Sequence, residues 1–152
     1  MKKKLLLLFA FLACVALTVV FGFRYFSSHK AAEYAPRAIP YIKQVIPELS
    51  KWEPAVARSY LAAEFLAKTS DERLKAVLDV MSKLGKLERL EEPRFVEIYA
   101  GSSLKGEKQT VLSYQADAHY SNGTALITLA LLDRGDHFEV YNFNIQSQAL
   151  LQ

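Results

Sequence analysis

One cysteine in 152 residues, Cys14, excludes a disulfide framework, which needs at least a pair. Acidic side chains are missing from residues 1–30, which hold five Lys/Arg (Lys2, Lys3, Lys4, Arg24, Lys30). The remaining residues carry 14 basic and all 16 acidic side chains, a net of −2, so the formal +3 belongs to one end of the chain. With no basic stripe on that mildly acidic remainder, nucleic-acid binding has no support. Metal-ligand spacing is also lacking: His29, His119 and His137 stand far apart and no Cys/His pair is present, so neither a zinc site nor a cofactor is expected. An apolar content of 51% is too high for a disordered chain, and the length suits one domain.

What is present begins with an apolar run. After Met1-Lys2-Lys3-Lys4, the nineteen residues from Leu5 to Phe23 carry no charge. As a helix they span about 28 Å, close to the roughly 30 Å hydrocarbon core of a bilayer. The lysines before the run predict a cytoplasmic N-terminus and a C-terminal domain in the periplasm of a bacterial envelope. Cys14-Val15-Ala16 offers a small-x-small signal cleavage site, but cutting there leaves Leu17 to Phe23 apolar and exposed. Arg24, Tyr25 and Phe26 suit the interface of a permanent helix, so a single-pass anchor is preferred, with secretion after cleavage as the alternative. Phe11-Leu12-Ala13-Cys14 is a poor lipobox, and Cys14 is expected as a small apolar residue within the helix.

Residues 1–23 thus form the cytoplasmic lysines and membrane helix, 24–40 a linker, and 41–152 an α+β domain. Pro40, Pro47 and Pro54 recur every seven residues, which predicts short helical pieces rather than one long helix, with Pro54 opening the next. Thr69-Ser70-Asp71-Glu72 offers a capping box before the stripe Leu74, Val77, Leu78, Met81, Leu84, and Gly85 supplies the stop. From Pro93 the apolar period changes to two, giving strands over 95–100, 109–120, 124–132 and 137–145.

Turn chemistry sets an expected register. A two-residue turn at Asn122-Gly123 pairs Ser121 with Thr124, so Tyr120, Ala118, Ala116 and Tyr114 oppose Ala125, Ile127, Leu129 and Leu131. A three-residue turn at Asp133-Arg134-Gly135 adds Tyr141, Phe143 and Ile145 to the same apolar face. The opposite face is half polar, with Gln115, Asp117, His119, Thr128, Asn142 and Asn144. Helices therefore pack on one face of an antiparallel four-stranded meander.

Several residues invite a chemical role. Asp117 and His119 share a strand face, and with Asn142 nearby they could orient an imidazole for acid–base work; a solvated or dimer-facing polar patch accounts for them more simply. Trp52, Tyr114, Tyr120, Tyr141 and Phe143 are the candidates for a ligand pocket on the apolar face, against the simpler role of core. Ser102-Ser103 lie in a loop without a nucleophile elbow, and turn chemistry accounts for both Arg134-Gly135-Asp136 and Asn122-Gly123-Thr124. Lys86, Glu88, Arg89, Glu91 and Glu92 form a solvated charged stretch.

The helical run Pro54 to Gly85, the Leu84-Gly85-Lys86-Leu87 exit and the strands from Val111 to Ile145 resemble the nuclear transport factor 2-like (cystatin-like) superfamily. The resemblance implies a cystatin-like roll: helices on a curved meander, commonly with a cone-like pocket and dimerisation through the sheet. It also implies that an enzymatic member would place acids or a histidine in that pocket, where this chain offers tyrosines. Because that fold hosts enzymes and binding domains alike, it does not decide the activity. The expectation is a non-enzymatic binding or assembly domain, tethered by Leu5 to Phe23 and engaging an envelope protein or a second copy. The alternatives are a small isomerase or hydrolase using Asp117 and His119, and a small-ligand binder using the tyrosine face.

Overall fold

The computed structural model describes residues 30–151. The anchor over residues 5–23, with Cys14, the interfacial residues 24–26 and His29, lies outside the described residues. Among those described, no helix is long and apolar enough to cross a membrane. A compact unit begins at Ala35.

Helix α1 covers residues 30–49 without a break, although it contains Pro36, Pro40 and Pro47. The continuous helix replaces the short pieces expected from the proline spacing, and it takes in residues 30–40 of the stretch assigned to a linker. The reason is where the prolines sit on the helix. At about 100° per residue the three fall within roughly 40° of one another, and all are exposed. Ala38, Ile42, Val45, Ile46 and Leu49 lie roughly opposite them and are buried. The carbonyls that lose their amide partner therefore face water, and any bend leaves the prolines on the convex side.

Pro54 opens α2 (Pro54–Tyr60), as its fixed φ favours. The chain then touches the sheet edge, where Ala62 N–H donates to Val140 O at 2.8 Å, and turns into the four-residue α3 (Ala63–Leu66). Helix α4 (Asp71–Met81) is capped by Ser70, whose hydroxyl accepts from Arg73 N at 3.2 Å, so the cap falls one residue after the Thr69 expected for it. Leu74, Leu78 and Met81 are buried whereas Val77 is 42% exposed. A 3-10 turn, Ser82–Leu84, leads to Gly85 at φ 80.

The sheet is antiparallel, curved and five-stranded: β1 (Leu87–Leu90), β2 (Arg94–Ser102), β3 (Lys108–Tyr120), β4 (Gly123–Asp133) and β5 (Phe138–Gln146). Strands β1 and β2 pair successively along one edge of β3, followed by β4 and then β5. Strand β1 lies in the stretch expected to be merely solvated; Leu87 pairs with Tyr120 and Leu90 with Ala118, while Arg89 stands opposite His119.

Two register expectations are corrected. Tyr120 pairs with Gly123, Ala118 with Ala125 and Tyr114 with Leu129, two residues away from the expected pairing. The turn is Ser121-Asn122, held from outside: Ser121 N–H donates to Lys86 O (2.9 Å) and Asn122 N–H to Leu84 O (3.0 Å). A cross-chain clamp, rather than local Asn-Gly preference, sets this hairpin. Because the slip is even, every side chain keeps its face.

The second correction does move a side chain. The β4–β5 loop has four residues, since Asp133 pairs with Phe138. A bulge then restores the alignment: Leu131 faces Val140 and Ala130 faces Asn142, leaving Tyr141 between them. Val140 takes the core position at 0% exposure, and Tyr141 packs instead on Ala62, Val111, Ala130 and Leu132, on the other face. Phe143 and Ile145 keep their places opposite Leu129 and Ile127.

Helix α1 and the residues just after it cover the face of Tyr114, Tyr120, Ile127 and Leu129. Tyr41 meets Phe138 at 5.8 Å between ring centroids, and Ser50 Oγ lies 2.9 Å from Tyr120 Oη. The second face carries the polar residues.

Candidate functional site

The pocket candidates divide. Trp52, held at φ 59, donates from Nε1 to Gly85 O at 3.0 Å and packs on Tyr120 at 5.6 Å between centroids. Tyr114 is 1% exposed, meets Phe95 edge to face at 5.5 Å, and keeps a hydroxyl without a hydrogen-bond partner among the described residues. These three side chains belong to the interior between helices and sheet, and Phe143 is half-buried on the same face. Only Tyr141 of the five is turned away from them.

Asp117 and His119 lie on the second face, toward β1. A cavity of about 710 Å³ there is lined by both, with Arg89, Glu91, Gln146 and Ser147 among its other walls. Asp117 accepts from Arg94 Nη2 at 2.8 Å. His119 Nε2 lies 2.9 Å from Arg89 Nη2 and 3.2 Å from Glu91 Oε1. The neutral ring accepts from Arg89 through Nε2, and the protonated ring donates to Glu91 through the same atom. Asp117 is thus engaged by arginine, and the carboxylate beside the imidazole is Glu91. Asn142 stands opposite Ala130 and His119 opposite Thr124, six positions along β4, so roughly 20 Å separates their backbones. Gln146, opposite Leu126, comes nearer.

At the other end of the same face lies a group that the sequence did not single out. Glu64 of α3 is 5% exposed. Arg134 of the β4–β5 loop reaches it with two hydrogen bonds, Nη2 to Oε2 at 2.9 Å and Nη1 to Oε1 at 3.3 Å. The same guanidinium donates to Glu139 Oε2 from Nη2 at 2.6 Å and from Nε at 2.9 Å. With its amide oriented to suit both neighbours, Gln109 donates to Glu64 Oε1 at 3.1 Å and accepts from Arg134 Nη1 at 2.8 Å. Burial pushes the Glu64 carboxyl up, but hydrogen bonds from its backbone amide, Arg134 and Gln109 hold it below its usual 4.5. It is therefore ionised at neutral pH. The one legible signal was its setting: a lone acid within Leu61-Ala62-Ala63-Glu64-Phe65-Leu66.

Beside Glu64 is a cavity of about 290 Å³, with Phe65, Lys68, Tyr99, Tyr141 and Asn142 among its walls. Two departures from plain sheet geometry meet there, next to the buried acid Glu64. The bulge aims Tyr141 at this face. Gly101 of β2 leaves room: a Cβ on it would lie 2.6 Å from Val111 Cγ2 and 3.6 Å from the Tyr141 ring. Among the described residues no group of His, Cys, Asp and Glu has the arrangement to hold a metal ion.

No family model matches the chain, and neither does any curated protein or solved structure.

Proposed function

We propose that this chain is a non-enzymatic binding and assembly domain, held at the inner membrane by residues 5–23 with its folded part in the periplasm. In this reading the sheet engages an envelope protein or a second copy of the chain. The observation that carries it is the edge formed by β2, which among the described residues pairs only with β3 and exposes Val96 and Tyr99 at 42% and 37%. An unpaired strand edge presents a row of amides and carbonyls that accepts a further strand. Charges at Arg94 and Glu97, with a bulge between Phe95 and Glu97, leave Glu97 to Ser102 as the regular stretch for pairing. Two further features favour binding over catalysis. Asp117 and His119 are tied into partly exposed ion pairs, and Tyr114 and Tyr120, two of the three tyrosines expected in a pocket, pack into the interior. The order of helices followed by a curved antiparallel sheet supports including the nuclear transport factor 2-like architecture in this reading.

The test is photo-crosslinking in intact cells from a probe at Val96, with a second probe at Val77 of α4 as control. A discrete adduct from Val96 and none from Val77 is the expected outcome. Equal or absent crosslinking at both removes the edge from the account. A reporter fused after residue 152 tests the topology separately, and activity only in the cytoplasm would overturn the periplasmic placement.

A further inference from the structure

We propose that the cavity between α3 and the second face of the sheet binds an alkylammonium group, held over tyrosine rings and beside the Glu64 carboxylate. This stands whether or not β2 pairs with another chain. Phe65, Tyr99 and Tyr141 supply aromatic wall, and a ring face attracts a cation within about 6 Å of its centroid. The Arg134 guanidinium is shared between two carboxylates, Glu64 and Glu139, and His137 Nε2 also lies 3.5 Å from Glu139 Oε1, so Arg134 offsets the Glu64 charge only in part. Glu64 contributes to the cavity wall while remaining 5% exposed, which places that charge where water screens it poorly. Its hydrogen bonds from its own backbone amide, Arg134 and Gln109 take up its acceptor sites, so it acts on a cation through charge alone.

The volume sets the scale. About 290 Å³ suits one small headgroup or one side-chain terminus, rather than a drug-sized ligand. Lys68 lines the wall and is exposed, and its own ammonium opposes a second cation. That opposition makes the charge preference testable, because removing Lys68 favours a cation and disfavours an anion.

The experiment titrates the full chain in detergent micelles with choline, with its neutral isostere 3,3-dimethyl-1-butanol, and with N-acetyl-lysine amide, following tyrosine resonances. Saturable binding of choline about tenfold tighter than the isostere is expected, the size of a partly desolvated cation–π contact. Tyr99 is exposed enough for Tyr99→Ala to fold, and this variant should weaken choline binding several-fold; Lys68→Gln should strengthen it. Tighter binding of choline assigns the site to a free quaternary ammonium, whereas tighter binding of the lysine derivative assigns it to a basic side chain. Equal binding of the isostere, an unchanged Tyr99→Ala, a weakened Lys68→Gln or no binding of either cation would each overturn the proposal.

Discussion

Two ends of one sheet face carry the same kinds of residue with different consequences. Toward β1, Arg94–Asp117 and Arg89–Glu91 are ion pairs whose side chains are 41–64% exposed. Toward the β4–β5 loop, Arg134 is 24% exposed and Glu64 5%. Water and salt weaken the first set to a few tenths of a kcal/mol per pair. At the second, each charge depends on its neighbours, because a buried carboxylate without a partner is costly. The difference lies in cover, not composition. The segment 61–66 folds over the loop end and brings Glu64 with it, while among the described residues no buried acid is brought over the β1 end.

Breaking the buried end should have the largest effect. Arg134→Leu strands Glu64 and is expected to cost about 2–3 kcal/mol in urea unfolding, below the roughly 3–5 for fully buried pairs because Arg134 keeps some solvent. Glu64→Gln keeps the shape and one acceptor, so about 1–2 kcal/mol is expected at neutral pH. The pH dependence has a definite sign. Glu64 has a depressed pKa in the fold, so its contribution is present above the unfolded value of 4.5 and is lost as pH falls through the folded value. The gap between wild type and Glu64→Gln should therefore close in acid, and a gap that widens would contradict the assignment.

Gly101→Ala sharpens the comparison from the neighbouring wall. Its methyl meets Val111, an overpacking cost partly offset by a stiffer unfolded chain, for a net loss of about 1 kcal/mol in thermal unfolding. The smallest changes belong to the open end. Asp117→Asn and His119→Asn should each shift stability by less than about 0.5 kcal/mol, and raising salt should erase even that. A loss above 1 kcal/mol from either would mean that the two ends are alike after all.

Much of the sheet was legible in advance because alternation and turn glycines are local signals. All four expected strands are present, and Gly85 and Gly135 take positive φ where stops or turns were placed. Strand β1 was not legible, since Leu87-Glu88-Arg89-Leu90 has charges where a strand usually alternates, and it is held by pairing with β3. Proline spacing misled at α1 for a similar reason. The chain shows that prolines are present, but their shared solvent face has meaning only once the opposite face is packed.

Of the candidate site residues, the faces of Asp117, His119, Tyr114, Tyr120 and Phe143 followed from alternation alone. The pairing could slip by two and leave those faces intact. Tyr141 could not be placed that way, because a single bulged residue reverses parity and its position depends on loop length and on the neighbouring strand. Glu64 and Arg134 are 70 residues apart, and nothing local joins them. The sequence by itself determined helices ahead of a meander, and which face of each regular strand is apolar, because periodicity is written residue by residue. Tertiary structure alone decided that Tyr141 turns outward and that one charged end is covered while the other stays wet, because burial arises only when distant segments meet.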